Sequence, residues 1–434
     1  ISCVLITEAG RLTGLLTTSD LCARVLAAGR GGDTRVAEIM TRAPIALAPE
    51  AIGLDAVATM VERGIGHLPV TQDGRPVGIV TRTNLLLNQA LSSPVLLGEM
   101  ARAGDVPGLA AVTAKVPQFL AQLVGAGAEP HVVTRLVTDV TDALTRRLLA
   151  IAEERLGPAP IRYCWAVCGS QGRQEQTGVS DQDNCLILED ADDTHDGYFE
   201  ALARFVSDGL HACGFVYCPG DMMVSNPRWR QPAKTWRSYF QGWIRTPDPE
   251  AQMLASVMFD LRAVGGDVAL LEGLQGETLA AARKNSIFVS HMIRNALTHQ
   301  PPLGLFRGFA LIRSGEHKDS LDLKLNGVVP VVDLARVYAL MGGIRPVNTR
   351  ARLIAAREAG IVSDSGGADL LDAYDLIAET RLAHQARRVR AGGTPDNFLA
   401  PATLSELERG HLKDAFTVIK TMQAALGQGR HTLA

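Results

Sequence analysis

The sequence predicts a multidomain chain of mixed α/β and α class, and three observations point there. A short glycine-bearing motif near the start recurs at an offset of 64 residues. Residues 156–275 alternate strand and helix signals, while residues 276–434 carry mainly helical periodicity. A length of 434 residues admits two to four domains. Composition is ordinary for a globular protein, with 47% hydrophobic and 21% charged residues, which excludes a disordered or fibrous chain. Net charge is −3 and aromatics make up 5%, so no global basic field points to nucleic acid, local basic patches stay open, and action on long nucleic acid is disfavoured.

The repeat comes first. Gly10-Arg11-Leu12-Thr13-Gly14-Leu15-Leu16-Thr17-Thr18-Ser19-Asp20-Leu21 matches Gly74-Arg75-Pro76-Val77-Gly78-Ile79-Val80-Thr81-Arg82-Thr83-Asn84-Leu85. Each copy reads as a turn glycine, a short apolar strand, a threonine and a helix start. His67 to Val70 supplies a partner strand for the second copy, and Ser2 to Ile6 fills that place in the first. The chain opens directly on this strand, so it reads as a fragment with a truncated first repeat.

These residues resemble the CBS repeat, and Val36-Ala37-Glu38-Ile39-Met40-Thr41 resembles a CBS opening. The likeness covers residues 1–90 and implies a CBS pair that binds an adenine nucleotide. Thr17 and the amides at the helix start suit phosphate, and the Asp20 carboxylate suits ribose hydroxyls. Asn84 stands where the second copy would carry the aspartate, which puts the second site in doubt. A packing or dimerisation unit is the alternative. The resemblance also implies a homodimer.

Residues 91–155 read as a helical linker without chemistry. Val133, Leu136, Val140, Leu144 and Leu148 recur at helical spacing, and Gly125 and Pro130 separate them from a helix around Phe119 to Val124. Beyond it, Arg162 to Cys168 and Asn184 to Leu188 read as strands, Tyr198 to Cys213 as a helix, and Phe215 onward as a further strand. In the helical region, Thr403 and Glu406 are spaced as a capping box before a face of Leu412, Phe416, Ile419, Met422 and Leu426. Leu371, Tyr374, Ala378 and Leu382 form a second stripe.

The chemistry is concentrated between Cys168 and Asn184. An apolar strand leads into Gly169-Ser170-Gln171-Gly172-Arg173-Gln174-Glu175, and Ser180-Asp181-Gln182-Asp183 follows at a strand start. A glycine lets backbone approach a phosphate closely, and a helix start offers it free amides. Asp181 and Asp183 are two apart, so on a strand they share a face. Adjacent carboxylates repel unless a cation lies between them. Mg²⁺ accepts such oxygen ligands and usually takes substrate phosphate oxygens as well. The segment therefore predicts a site for Mg²⁺ and a nucleoside triphosphate (NTP), with Asp181 and Asp183 as catalytic and metal-binding residues.

This segment resembles the catalytic motif of protein-PII uridylyltransferase and glutamine synthetase adenylyltransferase, of the DNA polymerase β superfamily. The resemblance implies that Gly169 and Ser170 hold phosphate and that Arg173 and Glu175 brace the turn or face the nucleotide; a surface ion pair is the alternative for the last two. The superfamily also supplies a third carboxylate, for which Asp221 is the first candidate and Asp260 the second.

Ser256 to Asp267 resembles a later segment of these transferases, and Asp322 to Gly327 followed by Pro330 to Arg336 resembles the signature of a bacterial family of signal-transduction proteins. In that family a CBS pair precedes a nucleotidyltransferase domain and a helical substrate-binding domain, here 156–275 and 276–434, and some members begin with a cyclic-nucleotide-binding domain. Lys324 reads as solvated, with a phosphate contact as the alternative.

The resemblance implies transfer of a nucleotidyl group from an NTP to a protein acceptor, adjusted by the CBS pair. A catalytically inert nucleotide sensor and a small-molecule nucleotidyltransferase are the alternatives.

Seven scattered cysteines do not form a disulfide framework. Cys164 and Cys168 lie on an apolar strand and read as small hydrophobes rather than a zinc pair, as does the wider Cys213–Cys218 spacing. Reduced thiols fit a cytoplasmic location. No signal peptide or membrane span is visible: the apolar stretch from Val328 to Ile344 is interrupted by Asp333 and Arg336.

Overall fold

The computed structural model describes residues 2–49, 51, 53–83, 85, 94–190, 195–304 and 308–428. They form two compact units, one of residues 1–93 with 126–128 and one of residues 94–125 with 129–434. Asn84 lies outside the described residues.

The first unit is built on the repeat. Strands β1 (Cys3–Glu8) and β2 (Arg11–Thr17) form one hairpin, with the short β3 (Thr41–Arg42) along β2. Strands β4 (His67–Gln72) and β5 (Arg75–Thr81) form the other. The two hairpins are the same object. Ile6 faces Gly14 where Val70 faces Gly78, and each ladder shifts register at the next residue. Both turns place two residues at positive φ, Ala9-Gly10 and Asp73-Gly74. That geometry matches the twist of the flanking strands and favours glycine at the second position. Leu12 N donates to Gly74 O at 2.9 Å, which joins the hairpins.

In the second unit, β6 (Tyr163–Val167), β7 (Asn184–Leu188), β8 (Arg230–Pro232) and β9 (Arg262–Gly266) form a sheet in the order β8-β7-β6-β9. The β6 pairs are antiparallel and β7–β8 is parallel. Because side chains alternate along a strand, Cys164, Ala166 and Cys168 share one face. There they pack with Trp236, Leu254 and Leu271 from the helices Ala233–Arg245, Pro249–Met258 and Ala269–Lys284. These cysteines are fully buried hydrophobes, as their strand position predicts.

A second core gathers Phe288, Val331, Leu334, Leu370, Ile377, Phe416 and Ile419 from the C-terminal helices. The stretch Lys324–Gly342 is long and apolar enough to cross a membrane (mean hydropathy 1.3), but 72% of it is buried inside the protein, where it forms part of this core.

Three expectations change. The stretch 91–155 is no linker over its described residues 94–155: outside residues 126–128 these belong to the second unit, and the helix Pro130–Leu156 buries Val133, Leu144 and Leu148 together with Asp142. Phe215 onward makes only a single bridge, Val216 with Asp181, because Gly214, Pro219 and a positive φ at Asp221 interrupt any strand. The last helix, Glu406–Gln428, is capped two residues later than its spacing suggests. Pro401–Thr403 forms a 3₁₀ turn, and the capping box is Ser405 with Glu408: Ser405 N donates to Glu408 Oε2 at 2.6 Å, and Glu408 N to Ser405 Oγ at 3.2 Å.

Candidate active site

The site forms where β6 ends and β7 begins. Cys168 N donates to Asp183 O at 2.9 Å, which sets the loop after β6 against the acidic pair. Gly169 then takes a φ of +57°, and a Cβ there would lie 2.2 Å from Asp183 Oδ2. Only glycine allows so close an approach in that conformation.

Asp181, half-buried, stands in its bridge to Val216, and Asp183, also half-buried, immediately precedes β7. Gln182 between them turns the other way and is buried, donating to Ser207 O at 3.0 Å and Phe215 O at 2.8 Å. Alternation thus brings the two carboxylates together. Burial, and then the Asp181 charge, push the Asp183 carboxyl up to about 6.

A third group, absent from the sequence reading of the metal site, completes the cluster. Cys218, with Asp181 and Asp183, places ligand atoms within 4.8 Å of one another. The donor chemistry of two carboxylates and a thiol fits a divalent cation. Burial raises the Cys218 thiol to about 11, and its hydrogen bond to the Asp183 carboxylate adds to that. Lys324 brings its Nζ to 3.8 Å from Asp181 Oδ1, so it is not a merely solvated lysine.

The structure does not bring the two proposed third carboxylates here. Asp221 accepts from Asn226 Nδ2 at 2.9 Å and does not join the cluster. Its positive φ of 54° turns the loop, and it is Cys218 that joins the pair. Asp260, fully buried, is surrounded by guanidinium groups: Arg173 at 2.8 Å, Arg336 at 2.6 Å and Arg352 at 2.6 Å. Despite the cost of burial, these three cations hold its carboxyl far below the usual carboxylate range.

Arg173 and Glu175 brace the turn; they are no surface pair. Arg173 Nε contacts Glu175 Oε2 at 2.8 Å, and Glu175 Oε1 accepts from Thr349 N at 2.7 Å. On its other side the turn is held by Asp142, which accepts from Arg262 Nη1 at 2.7 Å and Gln171 Nε2 at 3.1 Å. The only sequence signal for Asp142 is an acid beside the apolar stripe of a helix.

Ser170 opens onto a cleft shared with Ser180, Lys324, Arg350, Tyr374 and Arg381. The Ser180 hydroxyl is buried without a hydrogen-bond partner. Arg381 is buried against neutral oxygens, Asn397 Oδ1 at 2.8 Å and Thr177 Oγ1 at 3.1 Å, and burial pulls it down to about 10.

Comparison with known proteins agrees with this layout. Residues 114–250 match the family described as "Putative nucleotidyltransferase DUF294", and residues 286–429 match its companion, "Putative nucleotidyltransferase substrate binding domain". Residues 36–90 match the CBS domain. The chain carries CBS, DUF294 and DUF294 C-terminal domains. The DUF294 match begins at residue 114, so it takes in the bracing helix that carries Asp142.

Two curated relatives match about a fifth of this chain and bear CBS domains in their names. The CBS domain-containing protein YhcV of Bacillus subtilis is 36% identical over 84 residues, 19% of this chain and 60% of its own length. The Arabidopsis thaliana protein CBSCBSPB3 is 34% identical over 86 residues, 20% of this chain and 16% of its own length. The solved structure of "a putative signal-transduction protein with CBS domains" from Burkholderia ambifaria is 28% identical, covering 20% of this chain and 66% of its own, with a TM-score of 0.20.

In the CBS unit, Thr17 and Asp20 line a cavity of about 720 Å³ together with His67, Thr81 and Arg82. Thr17 and Asp20 also cap the helix that follows β2. Asp20 N donates to Thr17 Oγ1 at 3.1 Å and Thr17 N to Asp20 Oδ2 at 3.0 Å, while Arg24 approaches Asp20 Oδ1 at 3.2 Å.

Proposed function

We propose that the DUF294 domain transfers a nucleotidyl group from an NTP to a protein acceptor, as protein-PII uridylyltransferase does, using a divalent cation. The observation that carries this reading is the convergence of Asp181 and Asp183 beside the Gly169 turn, in a segment that matches a nucleotidyltransferase family.

In this reading Asp181, Asp183 and Cys218 would hold the cation, which supplies charge neutralisation for the triphosphate and its leaving pyrophosphate. Gly169 and Ser170 bind phosphate through the backbone of the turn. Lys324 meets the triphosphate, and the cleft lined by Ser180, Tyr374 and Arg381 receives the nucleoside. An acceptor oxygen forms a bond to the α-phosphorus as the bond to pyrophosphate breaks, and the acceptor proton passes to solvent. The CBS unit binds an adenine nucleotide in the Thr17–Asp20 cavity and adjusts the activity of a cytoplasmic homodimer.

The test is titration of the full chain with each labelled NTP, with and without Mg²⁺ or Mn²⁺, in wild type and an Asp181→Ala/Asp183→Ala double variant. Cation-dependent binding that the variant loses supports the reading. Binding that ignores both cation and variant overturns it and assigns the nucleotide to the CBS cavity.

One observation favours a second reading, that of a nucleotide sensor without turnover: among the described residues no third carboxylate joins the pair. Release of pyrophosphate in the presence of acceptor separates the two.

A further inference from the structure

We infer that Cys218 is a third ligand to the cation held by Asp181 and Asp183, so that the site prefers thiolate-accepting ions such as Zn²⁺ and Co²⁺ over Mg²⁺. The inference rests on the reading that this domain binds a divalent cation, and it concerns which one.

The position of Cys218 is built by the segment that carries the carboxylates. Gln182 N donates to Val216 O at 3.0 Å, and Gln182 Nε2 holds Phe215 O at 2.8 Å. Asn184 N donates to Met222 O at 3.1 Å, and Asn184 Oδ1 accepts from Val224 N at 2.9 Å. The residues on either side of Asp183 therefore pin the loop on both sides of Cys218. Within the loop, Cys218 N points at Met223 Sδ at 3.3 Å, and Asp221 N closes onto Cys218 O at 3.0 Å.

The remaining cysteines of this unit do not share that setting. Cys164, Cys168 and Cys185 are fully buried in the sheet core, and Cys213 is 7% exposed beyond the helix Asp196–Ala212. The two candidate carboxylates are committed elsewhere, to Asn226 and to three arginines.

A set of two carboxylates and one sulfur is not the oxygen set that Mg²⁺ demands. Sulfur draws zinc and its transition-metal neighbours. Ligation forms a sulfur–metal bond and releases the thiol proton to solvent.

The test uses the full chain and Co²⁺ as the probe. A sulfur-to-cobalt charge-transfer band is followed in wild type, Cys218→Ser, Cys218→Asp and Asp183→Asn, with Zn²⁺, Mn²⁺ and Mg²⁺ as competitors. Wild type shows the band, and Zn²⁺ displaces Co²⁺ at far lower concentration than Mg²⁺ does. Cys218→Ser loses the band and at least the ten- to hundredfold in Co²⁺ affinity that removing a support of a metal site costs. Cys218→Asp binds without the band and moves preference toward Mg²⁺, which separates loss of a ligand from loss of the loop.

Co²⁺ binding that depends on Asp183 but shows no band, or a band that survives in Cys218→Ser, overturns the role of Cys218 and leaves the cation site standing. If Asp183→Asn changes the binding of no cation, the cation reading itself falls and the role of Cys218 with it.

Discussion

Two acidic centres lie in the same compact unit and are opposites in how their charge is answered. Asp260 has no exposure to water, and Arg173, Arg336 and Arg352 surround it within 2.8 Å. Asp183 has a second carboxylate and a thiol beside it, and Lys324 and Arg173 offset only part of the burial and like-charge cost, Lys324 lying 3.8 Å from Asp181. The first carboxyl is held far below its ordinary range; the second is pushed up to about 6. A buried charge that is fully compensated is part of the framework. One left with like charge beside it, and only partly answered by neighbouring cations, favours a further positive charge.

The contrast can be broken at four points. Asp260→Asn leaves three buried guanidinium groups short of their anion and should cost about 3–5 kcal/mol of unfolding free energy, the usual effect of removing one partner of a buried ion pair. Urea unfolding measures it, and a loss below about 1 kcal/mol would show the hub to be dispensable. Gly169→Ala puts a Cβ 2.2 Å from Asp183 Oδ2 at a φ of +57°. It should cost roughly 1–3 kcal/mol in backbone strain alone and weaken cation binding as well, read by calorimetry.

Asp183→Asn should act in the other direction. The folded carboxyl titrates near 6 against an ordinary 3.8, so the folded state holds its proton more tightly than the unfolded chain does. That stabilisation is complete below about pH 3.8 and is lost as pH rises to about 6. Metal-free wild type should therefore gain stability on acidification across this window. Asp183→Asn should flatten that dependence and raise stability at pH 7 by up to about 3 kcal/mol, while abolishing cation binding. Thermal melts at stepped pH decide it; an unchanged profile would mean that the like-charge pair carries no strain. The smallest effect belongs to Asp221→Asn, which should leave cation affinity unchanged and stability within about 0.5 kcal/mol, as for an ordinary exposed position.

Much of the local structure was legible in the chain. The repeat revealed two hairpins because glycine spacing and strand alternation are local properties, and the 64-residue offset carries through to the bulges. The acidic pair was legible because a two-residue spacing before a strand projects both side chains to one side. The cap of the last helix was misplaced by two residues because Pro401 imposes a 3₁₀ turn first. The helix Pro130–Leu156 was legible as a helix and misread as a linker, since periodicity shows that a face is buried but not against what.

By itself, then, the sequence determined the elements, the order of domains, the glycine turn and the adjacent carboxylates, all of which depend on neighbours within a few residues. Only the tertiary structure decided which distant side chains join them. It brought Cys218 across from a loop 35 residues beyond Asp183, gave Asp260 to three arginines, left Asp221 to its own turn and set Asp142 behind the Gly169 turn. Those choices depend on hydrogen bonds and burial between segments far apart in the chain, and residue spacing carries no record of them.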